Sequence, residues 1–188
     1  YLVVHLGMTG RLLFAPDNYV KLVFHFSNGK KLYFSDARLF GKIRYFDVDP
    51  KLNLGPEPFS KEFTVNKLKE LVGARKTSIK VLLLDQKILS GVGNIYANEA
   101  LFRAGINPQK KANQLSDKEI QKSHQVIRAV LSEALKCRGT SDSWYVDASG
   151  KQGSFQKHLR VYGRKGQPCL KCKTPILRIF HGQRGTFF

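Results

Sequence analysis

Cys169 and Cys172 sit three apart in the knuckle Pro168-Cys-Leu-Lys-Cys-Lys173, just ahead of the strand-like run 176–180. Two thiolates on a tight turn make one half of a tetrahedral zinc site, with sulfur about 2.3 Å from the metal. A thioredoxin-type redox pair is disfavoured, because no helix follows whose N-terminus would lower a thiol pKa. His181 is available as a further ligand, and Cys137 reads as a buried thiol. A second constellation is Gly91-Val92-Gly93-Asn94, between two amphipathic runs. With no third glycine in place and a helical segment before it, this is not a dinucleotide fingerprint. Asn94 as N-cap would leave backbone amides exposed to a phosphate. A plain helical hairpin, in which Asn94 only caps, accounts for the local residues slightly better. The third is Met8 together with Asp36-Ala37-Arg38-Leu39-Phe40-Gly41, where large side chains stand in turns just after β runs. Met and Phe so placed can wedge between bases and Arg can bond a base edge, although ordinary turn residues folded back on a sheet fit the pattern more simply. There is no GxSxG, HExxH or P-loop, and no carboxylate pair in an acid and base context.

The elements that must position these residues divide by periodicity. Residues 1–47 are β-rich and cut by turns, with Ser27-Asn28-Gly29 joining two runs as a hairpin. In the second run Val20, Leu22, Phe24 and Phe26 alternate with Lys21, Val23 and His25, which predicts one buried face. The stretch 47–60 holds three of the seven prolines and reads as a linker. Helical periodicity follows over Glu62 to Val72, Ser78 to Leu89, Asn94 to Ala104 and Ser116 to Lys136. In the last, Ser116 and Glu119 form a capping box, Ile120, Ile127, Val130, Leu131, Ala134 and Leu135 fall on one stripe carrying His124 as well, and Gly139 supplies a stop. Strands first and helices after predict an α+β fold. The chain has 32 Lys and Arg against 14 Asp and Glu, a formal net charge of +18 that calls for a polyanionic partner. The apolar runs at 1–4 and 81–84 fall far short of the ~20 residues of a membrane span, and the first residues lack the charged region, apolar stretch and cleavage site of a signal peptide. A cytoplasmic, nucleoid-associated protein is expected.

Six strings, His5-Leu6-Gly7-Met8-Thr9-Gly10, Asp36 to Gly41, Leu54-Gly55-Pro56-Glu57-Pro58, Gly91 to Glu99, Val161-Tyr162-Gly163-Arg164 and Gln183 to Phe187, resemble the formamidopyrimidine-DNA glycosylase family in order and spacing. The resemblance spans nearly the whole chain. It implies the C-terminal part of a β-sandwich catalytic domain at 1–48, a linker at 49–59 and a helix-two-turn-helix DNA-binding domain at 60–140. A lesion-capping loop region at 141–160 and a partial β-hairpin zinc ribbon at 161–188 complete it. The implied activity is base-excision repair by a bifunctional glycosylase and AP lyase. Such an enzyme flips out oxidised purines such as 8-oxoguanine and formamidopyrimidine, forms a Schiff base and nicks the strand by β,δ-elimination. Met8, Arg38 and Phe40 would occupy the hole left by the flipped base. Tyr19, Arg75, Lys80 and Asn94 would hold the DNA backbone, positioning it without reading sequence. Arg184 would bind the phosphate at the lesion and act in elimination, and Cys169 and Cys172 would bind one structural zinc ion. The partner is double-stranded DNA carrying oxidised bases, met by a monomer away from any membrane.

Three departures accompany the resemblance. The family's nucleophile is an N-terminal proline amine, helped by an adjoining glutamate and a lysine; residues 1–188 contain none of these, so the chain is expected to be an inactive fragment of an active parent. The second CxxC of the ribbon is not in the chain either. Leu39 stands where Arg or Lys is usual, and Tyr19 where a phosphate-binding His is usual. The alternatives are an endonuclease VIII-type enzyme for oxidised pyrimidines and a non-catalytic duplex-binding module; the Asp147 to Phe155 loop and the Arg38 and Phe40 pair favour the purine branch.

Overall fold

The computed structural model describes residues 1–141 and 145–188. Asp142, Ser143 and Trp144, inside the expected loop region, lie outside the described residues. The chain forms two compact units, residues 1–52 with 134–158 and residues 53–133 with 159–188.

The first unit is built on antiparallel strands. Strand β1 (Leu2–His5) pairs with β5 (Lys42–Tyr45), Leu2 opposite Tyr45 and His5 opposite Lys42. Strands β2 (Arg11–Leu13), β3 (Val20–His25) and β4 (Lys31–Ser35) form a second sheet in the order β2-β4-β3. The β3–β4 hairpin turns at Ser27-Asn28-Gly29 as its residues require: Gly29 has φ +77°, and the Asn28 side chain accepts from the Lys30 amide. The alternating burial expected of β3 is not found. A bulge between Val20 and Leu22 shifts the register, and Leu22 and Phe26 stand 42% and 51% exposed.

The second unit is helical, with a terminal hairpin. Helix α1 (Val65–Gly73) starts at Thr64, whose hydroxyl accepts from the Lys67 amide, and buries Leu68 and Val72. Helix α2 (Ile79–Leu84) ends five residues before the expected Leu89. Asp85 leaves the helical region, and the Gln86 side chain bridges the turn, donating to the Leu84 and Val92 carbonyls while accepting from the Gly91 amide. Helix α3 (Asn94–Ala104) stops at Gly105, whose φ of +73° suits a left-handed cap. In helix α4 (Asp117–Lys136) the capping box forms as expected: the Ser116 amide donates to Glu119 Oε2 at 2.7 Å, and the Glu119 amide returns to Ser116 Oγ. Its stripe is buried except for Leu135, which is exposed; at 100° per residue it has turned off the edge that Ala134 still occupies. His124 is a boundary residue, its Nε2 2.8 Å from the Phe63 carbonyl oxygen.

The proline-rich stretch does not hang free. Gly55 donates to the Gln86 carbonyl and Ser90 to the carbonyls of Gly55 and Pro56, so the chain enters this unit fastened to the α2–α3 turn. Strands β6 (Arg178–His181) and β7 (Arg184–Phe187) form the last hairpin. Both loop residues, Gly182 and Gln183, have positive φ, the turn that matches the twist of two strands. Val161, Cys169, Ile176 and Phe187 make a small core beneath it, with Phe102 and Tyr162 packed alongside.

Candidate nucleic-acid interface

In the first unit the two turns bearing Met8, Arg38 and Phe40 are fastened to each other. Asp36, almost fully buried, accepts from the Thr9 hydroxyl in the Met8 turn and from the amides of Arg38 and Gly41 in its own loop. Gly7 lies so close that a Cβ there would meet the Phe40 carbonyl carbon at 3.0 Å. The outcome is a short ridge of outward side chains on a tied base. Met8 is 60% and Phe40 47% exposed, and the Arg38 guanidinium stacks 4.6 Å from the Phe40 ring centre. Leu39 takes φ +58° at the tip, a conformation that costs a non-glycine residue energy and is held by the Asp36 bonds on either side. Tyr19 reaches the same base through its backbone, its carbonyl accepting from the Asp36 amide. Beside Met8 is a cleft of about 390 Å³ whose other wall is Tyr145 to Ala148, where the Asp147 to Phe155 loop begins. Asp147 closes the turn of that loop, its carboxylate accepting from the Ser149 and Lys151 amides.

In the second unit Lys80 and Asn94 converge on one peptide carbonyl, that of Gly185, the residue after Arg184. Asn94 is the first residue of α3, not its cap; Gly93 takes that place and offers no side-chain oxygen to the first-turn amides. The Asn94 side chain instead donates to the Gly185 carbonyl at 3.2 Å. Lys80, expected at the DNA backbone, has a fully buried side chain, with Nζ donating to the same carbonyl at 2.9 Å and to Thr186 Oγ1 at 2.6 Å. Burial, then repulsion from Arg184, pulls its ammonium down to about 8. Arg184 and Asn94 line one cleft of about 390 Å³ with Gly93, Gly182 and Gln86. A helix start without a side-chain cap, next to a guanidinium, suits an anion. Arg75 is placed separately, at the end of α1, where it donates to the Leu71 carbonyl.

The cysteine knuckle is a tight turn. The Lys171 amide points at Cys169 Sγ at 3.4 Å, Lys173 takes φ +64°, and Thr174 and Cys169 draw the Cys172 thiol down to about 7. Two sulfurs fit half of a zinc coordination shell. Among the described residues no group of three or more His, Cys, Asp or Glu stands together, and His181 Nε2 lies 2.6 Å from Ser78 Oγ. A zinc ion would therefore find one thiolate pair among the described residues.

Several structuring residues escaped the sequence. Buried Glu99 accepts from the amides of Arg160, Val161 and Tyr162, and buried Asn98 accepts from the Phe187 amide. Polar residues at 94 and 98, four apart on one helix face, were a usable signal; Asp36 at the head of a turn was another.

The chain as a whole is similar to known proteins. Residues 1–43 match the model of the formamidopyrimidine-DNA glycosylase N-terminal domain, and residues 54–145 that of the H2TH domain of the same proteins. The formamidopyrimidine-DNA glycosylase of Rickettsia conorii is 44% identical over 197 residues, covering 100% of this chain and 72% of the relative; that of Solibacter usitatus is 46% identical over 192 residues, with the same shares. The crystal structure of the MutM (Fpg) protein of Thermus thermophilus superposes with a TM-score of 0.90 at 39% identity, over 100% of this chain and 73% of that one. The Lactococcus lactis Fpg in complex with DNA containing an abasic site gives 0.87 at 34%, over 100% and 72%. With both domain models matched in order and relatives above 40% identity along its whole length, the chain belongs to the formamidopyrimidine-DNA glycosylase family.

Proposed function

We propose that this chain serves base-excision repair, as the damage-gripping part of a glycosylase and AP lyase that removes oxidised purines from duplex DNA. The observation that carries the reading is the convergence of Arg184, Asn94 and the uncapped start of α3 on one cleft, an anion site in a chain of net charge +18. The reading is supported by relatives whose names and titles give this enzyme and its complexes with DNA. Arg184 and Asn94 hold a phosphate at the lesion. Met8 and Phe40 fill the gap left by the flipped base, offsetting part of the few kcal/mol of unstacking, and Arg38 offers donors to the unpaired base opposite. Arg75 and Tyr19 grip the backbone elsewhere. Cys169 and Cys172 would supply two thiolates to a structural zinc ion, which would stiffen the hairpin region. The protein acts as a monomer on chromosomal DNA in the cytoplasm, and among the described residues no helix is long and apolar enough to cross a membrane.

The Schiff-base step needs an amine nucleophile. In residues 1–188 the Tyr1 amine donates to the Phe46 carbonyl at 2.7 Å, extending the β1–β5 pairing. A purified 188-residue chain should therefore give no borohydride-trapped adduct with an 8-oxoguanine duplex. Joined to the N-terminal segment of the Rickettsia conorii relative, it should trap and should excise 8-oxoguanine faster than thymine glycol. An adduct from the 188 residues alone would overturn the first claim, and the reverse lesion preference would move the substrate to oxidised pyrimidines.

A further inference from the structure

We infer that Lys80 is a positioning residue: it seats the Gly185 carbonyl and so sets Arg184 and Asn94 for one phosphate, without touching DNA itself. The inference rests on the reading of Arg184 and Asn94 as phosphate contacts.

Its basis is the way the β6–β7 hairpin is docked. Helix α2 and its cap reach the hairpin at three points: Ser78 Oγ lies 2.6 Å from His181 Nε2, a Cβ on Gly182 would meet Val81 Cγ2 at 2.6 Å, and Lys80 Nζ holds Gly185 and Thr186. From the other side Asn94 reaches the same Gly185 carbonyl, and Asn98 holds the Phe187 amide. Thr186 Oγ1, which accepts from Lys80, donates in turn to the Arg184 carbonyl at 3.2 Å, so the ammonium also ties the peptide that leaves the Cα bearing the arginine side chain. Both acceptors of Lys80 are neutral oxygens, and its side chain has no exposed surface. A buried ammonium with neutral partners is costly where an apolar side chain would pack. What the ammonium supplies here, and an apolar residue would not, is a donor aimed at the carbonyl that Asn94 shares. With the ammonium removed, Asn94 alone holds Gly185, and the hairpin loses the tie that sets the angle of Arg184.

The test is a double-mutant cycle read on DNA binding, using the 188-residue chain and a duplex carrying a tetrahydrofuran abasic analogue, by fluorescence anisotropy over a salt series. Arg184→Ala should flatten the slope of log K against log salt by about 0.9, one phosphate contact, and weaken binding by about tenfold or more, as for one charge-assisted bond. Lys80→Met should do the same, and the double variant should lose no more than either single one. Lys80→Gln, which keeps a donor for Gly185, should recover part of the slope. Additive losses, with the double variant flattened by about 1.8, would mean that Lys80 meets its own phosphate and would overturn the inference. If Lys80→Met fails to fold by circular dichroism, Thr186→Val tests the same seat with no change of charge. Weakened binding that is not additive with Arg184→Ala would support the inference, and unchanged binding would overturn it. A wild-type chain that does not bind this duplex, or an Arg184→Ala variant without effect, would remove the phosphate reading as well, which separates the two failures.

Discussion

Asp36 lies almost fully buried, and burial raises a carboxyl pKa; here hydrogen bonds from Thr9, Gly41, Arg38 and Phe40 outweigh it and hold the pKa below the usual carboxylate value. A depressed pKa in the folded state stabilises the protein above the unfolded value, near pH 4, and that contribution is lost as pH falls through the folded one. Asp36→Asn keeps the shape but turns donors toward the amides, and we expect it to cost about 1–3 kcal/mol at neutral pH. Below about pH 4 the gap between variant and wild type should close. Urea unfolding at pH 7 and pH 3 checks this, and a gap that is unchanged between the two would contradict the assigned role. The same substitution should loosen the ridge of Met8, Arg38 and Phe40, because Asp36 is the bond common to both turns.

Among the elements, α3 does the most positioning, and by its least expected residues. Glu99 is fully buried and receives three consecutive amides, 160 to 162, at 2.9–3.0 Å, with Arg103 Nε 3.8 Å away. Replacing it by Gln leaves amide hydrogens facing an amino group, so we expect a loss on the order of 3 kcal/mol, seen as a lower urea midpoint at unchanged slope. A loss below about 1 kcal/mol would mean that the segment is held by packing. The bounds of α3 and the box of α4 were legible because their signals are local: a glycine at each end of one, Ser116 and Glu119 in the other. The end of α2 was not, since it depends on a Gln86 side chain that reaches residues 91 and 92. Nor was the burial of Lys80, a lysine in an apolar run whose acceptors are 105 and 106 residues away along the chain. The motifs led to the right family, while the division between side chains that stand exposed and side chains that hold them in place needed the fold.

For the whole molecule, a net charge of +18 favours any polyanion, and such electrostatic binding falls steeply with salt. What distinguishes a repair protein from a basic patch is a gain at the lesion that salt does not erase. We propose that the ridge of Met8, Arg38 and Phe40 is such a device, because an apolar wedge would gain from an existing gap in the stack and release few counterions. The most direct measurement is therefore the affinity of residues 1–188 for two duplexes of the same sequence, one intact and one with an abasic analogue opposite cytosine, across a salt series. We expect parallel salt slopes with the abasic duplex bound at least about tenfold tighter throughout, since the cost of unstacking is already met. Equal affinities at every salt concentration would contradict the account and leave a general DNA-binding module.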